Sequence, residues 1–324
     1  MDKLKIGVIG TGHMGRNHVR NLAEDWRFDM VGIYDVDHKN AEKVANQYEI
    51  QAFDTPEELF ERIDAVVIAV PSSLHKEVGL MAVQHHVHAL IEKPLATNSR
   101  DAREIEEAFS AKGLKLAVGH IERFNPVIQE LEKLLNKEQV VCLEAYRYSP
   151  FSGSGRIADT SVVEDLMIHD VDYVCHLMEP YRVTKVYGTG ECVRSECIDF
   201  ASCTLNFNTN AHAVIHASRV SQDKERILRI HTRNSCICAD LLGKTLSIVK
   251  NTDLIFERGG VYGNSYRQNG LVERIFVPIQ EPLKEELVSF YHSVVDHMPV
   301  AVDGKTGIRA IEICEEVVRQ TMKR

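Results

Sequence analysis

The feature that most constrains this fold is a glycine-rich turn placed directly after the first strand-like segment of the chain. Residues 5–9 are mostly apolar and predict a buried β-strand, and residues 13–22 predict a helix. Between them stands the pattern G-x-G-x-x-G, formed by Gly10, Gly12 and Gly15. The first glycine permits a tight turn, the second leaves room for a pyrophosphate beside the backbone, and the third lets the helix pack close to the strand.

The surroundings of this turn predict a dinucleotide site. Free N–H groups at a helix N-terminus attract phosphate, so His13 and Met14 join the three glycines as candidate cofactor-binding residues. A second strand-like segment, residues 29–34, ends at Asp35, twenty residues after Gly15. An acid there binds ribose hydroxyls and repels a 2′-phosphate, so the sequence favours NAD over NADP. The alternative is a purely structural turn beside a solvated strand end.

Length and composition predict an ordinary globular protein of two domains. A chain of 324 residues is long for a single hydrophobic core. The net charge of −9, without a basic block, argues against nucleic acid as a partner. No apolar run reaches the ~18 residues that span a bilayer, and we expect no signal peptide ahead of the first strand. Eight cysteines without a C-x-x-C pair predict reduced thiols, no metal site and a cytoplasmic location.

The patterning changes near residue 121. Residues 1–121 alternate strand-like and helix-like segments, which predicts a parallel sheet and an NAD-binding Rossmann domain. Residues 122–324 show repeated strand-like alternation and a helix at 165–177, which predicts a second α/β domain with a mainly antiparallel sheet. We expect that domain to bind substrate and to mediate oligomerisation, while the C-terminal helix packs back on the first domain.

Apolar residues in the second half predict self-association. Val214, Ile215, Ile227 and Ile230 suggest that an exposed face of the second sheet is largely apolar. Such a face is expected to be buried in a symmetric dimer or tetramer.

Two segments carry the candidate chemistry. Glu92-Lys93-Pro94 follows a predicted strand, at the sheet edge where functional groups of parallel sheets collect. Asp165 and His169 are four residues apart on a predicted helix and share a face. Oxidation of an alcohol by hydride transfer needs a base for the proton, which suits His169, and a cation for the developing alkoxide, which suits Lys93. The alternatives are an ordinary strand end and a surface salt bridge.

Taken in this order, the glycine motif, Glu92-Lys93-Pro94 and Asp165-x-x-x-His169 resemble the Gfo/Idh/MocA oxidoreductases over the whole chain. The resemblance implies a Rossmann domain, an α/β domain on an open antiparallel sheet, tightly held NAD(P) and a sugar or cyclitol substrate. It also implies that Lys93, Asp165 and His169 line the active site. By the same resemblance Glu92 and Lys93 are candidate cofactor contacts, and Pro71 packs against the cofactor.

Further motifs resemble the members of that family that act on nucleotide sugars; they lie at residues 119–126, 150, 156–157, 162–172 and 281–287. Arg123 and Arg156 are candidate diphosphate or uracil contacts, because a planar guanidinium suits phosphate oxygens. His120 is a candidate substrate or nicotinamide contact, with a structural role as the alternative for all three. The resemblance implies oxidation of a sugar hydroxyl to a ketone, at C3 of UDP-N-acetylglucosamine. The alternatives are an inositol or free-sugar dehydrogenase and a non-catalytic, NAD-bound sugar sensor.

Overall fold

The computed structural model describes residues 3–151, 160–257 and 265–323. The chain forms two compact units, of which the first comprises Met1–Phe124 and Gln280–Glu315. The second unit comprises Asn125–Ile279 and Glu316–Arg324. The predicted boundary after residue 121 lies close to this division, and the segment Gln280–Glu315 belongs with the first unit although it follows the second in sequence.

The first unit is built on a parallel sheet of six strands in the order β3-β2-β1-β4-β5-β6. The strands are β1 Leu4–Ile9, β2 Phe28–Tyr34, β3 Gln51–Ala52, β4 Ala65–Ile68, β5 His88–Glu92 and β6 Leu116–Gly119. This is the strand order of a doubly wound dinucleotide-binding sheet, which confirms the Rossmann prediction. All four residues of β4 are buried, as expected for a central parallel strand.

Helices follow the strands of this unit, and their ends are set by local capping. They are α1 His13–Glu24, α2 His38–Tyr48, α3 Pro56–Phe60, α4 His75–Gln84 and α5 Ser99–Ala111. Helix α3 has a side-chain cap at its start, since the Thr55 hydroxyl accepts a hydrogen bond from the Glu58 amide at 3.3 Å. Short 3₁₀ turns occur at Ser72–Leu74 and Ile121–Phe124.

The second unit is built on a sheet of eight strands in the order β14-β13-β12-β11-β7-β10-β9-β8. The strands are β7 Val140–Tyr148, β8 Val183–Glu191, β9 Phe200–Phe207, β10 His212–Ser218, β11 Glu225–Thr232, β12 Ser235–Asp240, β13 Thr245–Glu257 and β14 Ser265–Ile275. The pair β7–β10 is parallel and the other pairs are antiparallel, which confirms the mainly antiparallel prediction. Strand β14 was not predicted.

Four more helices complete the described chain: α6 Pro126–Leu134, α7 Ile168–Leu177, α8 Pro282–Val295 and α9 Gly304–Thr321. Helix α7 packs on β7 and β10 in the second unit. Helix α8 packs into the hydrophobic core of the first unit through Leu287, Phe290 and Tyr291. The rings of Tyr291 and Phe28 meet edge-on, with their centroids 5.7 Å apart. Among the residues described, none of the helices combines the length and the hydropathy needed to cross a bilayer.

The prediction of a largely apolar exposed face on the second sheet is wrong. Ile215 and Ile230 are fully buried on the face that forms the core, whereas Val214 and Ile227 are half-buried on the opposite face. Neighbouring residues of a strand point to opposite faces, so Val214 and Ile215 cannot share one. The face opposite the core carries a mixture of apolar, aromatic, polar and charged side chains, among them Cys142, Glu144, Tyr146, His216 and Arg229.

Candidate active site

The glycine turn has the geometry that the sequence predicts. Gly10 has a φ of +91°, and a Cβ on Gly15 would lie 1.8 Å from the Gly10 carbonyl oxygen. A larger residue at Gly15 would therefore force α1 away from the turn. A Cβ on Gly12 would meet nothing within 4 Å, which leaves the space that a diphosphate needs.

The helix end beside this space is able to bind an anion. Helix α1 begins at His13, and Gly12 caps it without a side-chain hydrogen bond. Its first-turn amides, which include those of His13 and Met14, have no partners within the helix. Together with the open space at Gly12, these amides and the helix dipole fit the diphosphate of NAD.

Asp35 lies directly after β2, where the sequence predicts a ribose-binding acid. One of its carboxylate oxygens, Oδ2, accepts hydrogen bonds from the Thr11 amide at 2.5 Å and the Thr11 hydroxyl at 2.8 Å. The other, Oδ1, accepts one from the Asp37 amide at 2.9 Å. The carboxylate is therefore held in one orientation by the residues around it.

Lys93 lies at the end of β5 and is half-buried. The Lys93–Pro94 peptide bond is cis. The ring of His75, buried in α4, lies with Nδ1 2.8 Å from the Pro94 carbonyl oxygen and Nε2 3.0 Å from that of Val70. His75 thereby ties the end of β4 to the Lys93 loop, a positioning role that the sequence did not predict. Pro71, the candidate cofactor contact, is exposed at the end of β4.

A buried acidic cluster supports the Lys93 loop. The Glu92 carboxylate contacts His18 Nε2 of α1 at 2.7 Å and accepts a hydrogen bond from the Lys93 amide at 3.3 Å. Burial acts to raise the pKa of Glu92, but the hydrogen bond from His18 and the charges of His18 and Lys93 hold that pKa below its ordinary value. Glu286 of α8 is 3% exposed, and burial together with the charge of Glu92 raises its pKa well above the ordinary value.

His18 was not singled out in the sequence, and Glu286 stood only within the motif at residues 281–287, with no role assigned to it. Both occupy buried positions on helices whose neighbouring buried residues are apolar, such as Val19 in α1 and Leu287 in α8. A polar residue at an apolar position of a helical pattern is the signal that would have found them.

The remaining candidate contacts of the first unit lie just after β6. His120 and Arg123 are 1% and 8% exposed, so both are largely enclosed by protein. Their contacts with substrate stay a prediction. Arg156, the other candidate arginine, lies outside the described residues.

In the second unit, a wide helical turn carries Asp165. Residues Val163–Met167 form a π-helical turn that leads into α7, and such turns are frequent at functional sites. The Asp165 carboxylate accepts a hydrogen bond from Arg219 Nη2 at 2.7 Å; the Arg219 side chain is 3% exposed and that of Asp165 is 38% exposed. Arg219 also donates to the Thr160 carbonyl oxygen. The sequence did not indicate this arginine, because 54 residues separate it from Asp165.

A second ion pair anchors α7 directly beside His169. Asp170 is 1% exposed and accepts hydrogen bonds from Arg147 Nε at 2.7 Å and from the Tyr173 hydroxyl at 2.5 Å. His169 itself is half-buried. The helix is therefore fixed from its core side by Asp170, next to the residue predicted to act as the base.

The described residues contain no group of three or more His, Cys, Asp or Glu side chains arranged to hold a metal ion. Burial raises the pKa of Cys203 to about 12 and, with Cys238 nearby, that of Cys236 to about 11. These two thiols therefore stay protonated and weakly nucleophilic near neutral pH.

Comparison with known proteins gives the same assignment as the geometry. A family model described as an oxidoreductase family with an NAD-binding Rossmann fold matches residues 4–120, and one for the Gfo/Idh/MocA C-terminal domain matches residues 145–237. The chain is 32% identical, over 98% of its length and 97% of the relative's, to UDP-N-acetylglucosamine 3-dehydrogenase of Acidithiobacillus ferrooxidans. It is 25% identical to myo-inositol 2-dehydrogenase of Thermotoga maritima, over 95% of this chain and 93% of the relative.

The solved structure of the Acidithiobacillus ferrooxidans enzyme superposes with a TM-score of 0.88 at 30% identity, covering 100% of this chain and 99% of that one. The doubly wound sheet, the glycine turn and these matches define an oxidoreductase that binds NAD. More particularly, the chain belongs to the Gfo/Idh/MocA family.

Proposed function

We propose that this protein oxidises a sugar hydroxyl to a ketone with NAD, and that its substrate is UDP-N-acetylglucosamine, oxidised at C3. The observation that carries the substrate is the 32% identity to a UDP-N-acetylglucosamine 3-dehydrogenase over nearly the whole length of both chains. We place the reaction in the cytoplasm, as the cysteine usage of the sequence predicts.

In this proposal the two halves of the chain supply different groups. Bound NAD would provide the hydride acceptor, held by the turn from Gly10 to Gly15 and by Asp35. His169 takes the proton of the substrate hydroxyl, and Lys93 donates a hydrogen bond and positive charge to the developing alkoxide. Asp165 orients the imidazole of His169 or tunes its charge. Its contact with the nearly buried Arg219 supports this role, because it restricts the rotamers of the carboxylate.

The substrate contacts are proposed for Arg123, Arg156 and His120. A nucleotide sugar carries a diphosphate, which a guanidinium can bind through two parallel hydrogen bonds. Such contacts would separate a nucleotide-sugar enzyme from one that binds a neutral sugar.

The second candidate function is an inositol dehydrogenase. It is favoured by the match to myo-inositol 2-dehydrogenase, which also spans 95% of this chain, although at 25% identity. A non-catalytic sugar sensor is the least favoured function, because such a protein has no need for Lys93, Asp165 and His169 together.

The deciding experiment offers UDP-N-acetylglucosamine, myo-inositol and simple hexoses separately to the protein with NAD and follows absorbance of the reduced nicotinamide. We expect a signal with the nucleotide sugar alone. The variants Lys93→Met and His169→Asn should each lose about 10²–10⁴-fold in kcat while retaining NADH binding. A signal with myo-inositol alone would select the second function, and unchanged turnover in both variants would contradict the proposed roles.

We further propose that the protein is a homodimer or homotetramer that associates through the face of the second sheet opposite its core. On that face the Tyr146 ring stacks on His216 with centroids 5.3 Å apart, and Arg229 lies 5.8 Å from the Tyr146 ring. Aromatic and arginine side chains are enriched in protein interfaces. Sedimentation of Arg229→Glu should show dissociation, whereas a monomeric wild type at micromolar concentration would contradict this proposal.

A further inference from the structure

We propose that Arg16, Asn40 and Thr11 form a directed chain of hydrogen bonds that presets Asp35 for the ribose of NAD and makes this protein select NAD over NADP. The proposal concerns the first unit alone. It rests on NAD binding, and not on the identity of the sugar substrate.

The chain of contacts is continuous from a cation to an anion. Arg16 Nη2 donates to Asn40 Oδ1. Asn40 Nδ2 donates to the Thr11 hydroxyl oxygen at 2.7 Å and to the Thr11 carbonyl oxygen at 3.1 Å. The Thr11 hydroxyl then lies 2.8 Å from Asp35 Oδ2. Thr11 is fully buried, so water does not compete for its hydroxyl.

The chemistry of the groups fixes the direction of every bond. A guanidinium can only donate, so the asparagine presents its amide oxygen to Arg16 and its NH₂ group to Thr11. The threonine oxygen accepts from that NH₂ group, and its single proton is then directed to the carboxylate, which can only accept. Hydrogen bonds polarise one another along such a chain, so the bond to Asp35 is stronger than an isolated hydroxyl contact.

This arrangement decides which oxygen of Asp35 remains available. Oδ2 already accepts from the Thr11 amide and the Thr11 hydroxyl, which fills its two lone-pair directions. Oδ1 accepts one bond from the Asp37 amide and retains capacity for a second. We infer that Oδ1 receives the ribose hydroxyl, and that the carboxylate pays no reorientation cost when the cofactor binds.

The same chain of hydrogen bonds restrains Arg16, a cation that would otherwise favour NADP. Arg16 is exposed, but its guanidinium is bound through Nη2 to Asn40 and through Nε to the Thr11 carbonyl oxygen at 3.1 Å. An arginine near the ribose that is free to turn can accommodate a 2′-phosphate. Bound in this way, Arg16 is directed toward the protein, while the fixed Asp35 carboxylate repels the phosphate.

The test measures dissociation constants of NADH and NADPH by fluorescence, without any sugar, for the full-length protein and its variants. Thr11→Val removes the hydroxyl and keeps the shape, and should weaken NADH binding about 10-fold or more, as expected for one hydrogen bond to a charged group. Thr11→Ser should restore the affinity to within about threefold. Asn40→Ala releases Arg16 and should lower the preference for NADH over NADPH about 10-fold.

Two controls separate this role from a structural one. Thr55→Val removes the capping hydroxyl of α3 in the same unit, so it should lower thermal stability and leave the affinity for NADH unchanged. Thr11→Val should weaken NADH binding by less than about threefold when it is added to Asp35→Asn, because the effects of two groups that act as one unit are not additive. Equal losses in both backgrounds, or equal effects on NADH and NADPH, would overturn the proposal.

The result is independent of the proposed reaction. If the wild type binds NADH with the predicted preference but oxidises no sugar, the proposed substrate fails and this inference stands. If turnover is normal and Thr11→Val binds both cofactors as the wild type does, the inference fails and the proposed function stands.

Discussion

The two proposed catalytic residues, Lys93 and His169, adjoin buried acids that are held in different ways. Beside Lys93, the Glu92 carboxylate is bound by an imidazole, and it acts electrostatically on a second buried acid, Glu286. Beside His169, the Asp170 carboxylate is bound by the guanidinium of Arg147, with a tyrosine hydroxyl on its other oxygen.

The first arrangement includes an acid with a raised pKa, Glu286, whereas the second contains a permanent cation, Arg147. A guanidinium stays protonated at every pH at which proteins fold, so the cation that holds Asp170 is permanent. Glu286, by contrast, is a carboxylic acid whose pKa is raised well above the ordinary value by burial and by the charge of Glu92. The stability of the structure around Lys93 is therefore expected to depend on pH. The stability of the structure around His169 is expected to fall when Arg147 is replaced.

The largest loss of stability is expected from Arg147→Met. Arg147 and Asp170 have side-chain exposures of 0% and 1%, and removing the cation leaves the carboxylate buried without its charge partner. Breaking a buried pair in this way costs about 3–5 kcal/mol. The midpoint of denaturant-induced unfolding measures this loss.

A surface pair provides the matched control for Arg147→Met. Lys250 and Glu273 form an ion pair with side-chain exposures of 46% and 38%, so Lys250→Met should cost at most about 1 kcal/mol. The double variant Arg147→Met/Asp170→Leu should recover part of the loss, since it removes the uncompensated charge. Equal shifts for Arg147→Met and Lys250→Met would show that the permanent cation does not hold α7.

Arg219→Met should have a smaller effect, because Asp165 is 38% exposed and water can replace part of the contact. We expect the free energy of unfolding to fall by about 1.5–3 kcal/mol, the usual contribution of hydrogen bonds to a charged group. We also expect kcat to fall while NADH binding is retained, because Arg219 is proposed to act through Asp165. Turnover at the wild-type level in a folded Arg219→Met protein would contradict that role.

The first unit could be predicted from the sequence nearly strand by strand. Its strands are short apolar runs bounded by turn residues, and its candidate cofactor-binding residues follow them at fixed positions, as Gly10 follows β1 and Asp35 follows β2. These are local signals. The glycine turn also has one workable geometry, since a Cβ at Gly15 would collide with the Gly10 carbonyl.

The parts that could not be predicted depend on contacts between distant residues. Arg147 stands on β7 and Arg219 directly after β10, and the local sequence does not show which carboxylate each will meet, 23 and 54 residues away. The π-helical turn at Val163–Met167 is a register change that helical periodicity does not reveal. Strand β14, with the sequence SYRQNGLVERI, has little apolar alternation and contains a glycine.

The smallest effect, counted per pH unit, is expected from Glu286→Gln, and its sign tests the pH response of the structure around Lys93 directly. The pKa of Glu286 is raised in the folded protein, so above the ordinary value of 4.5 the folded state binds more protons than the unfolded state. The stability that this group contributes is fully present below that pH and is lost as pH rises through the folded pKa. Glutamine does not titrate, so the variant should gain stability relative to the wild type as pH rises, by at most about 1.4 kcal/mol per pH unit.

Glu92→Gln should show the opposite trend, because the pKa of Glu92 is lowered in the folded protein. The stability that Glu92 contributes is present above the ordinary value of 4.5 and is lost as pH falls through the folded pKa, so this variant should lose stability relative to the wild type as pH rises. Unfolding midpoints of both variants and the wild type, measured from about pH 2 to pH 8, give the two slopes, that of Glu92 below the ordinary value of 4.5 and that of Glu286 above it. Slopes of the same sign would mean that the pKa values of the two acids are not shifted in opposite directions, and the contrast with the arginine-held acids of the second unit would then rest on geometry alone.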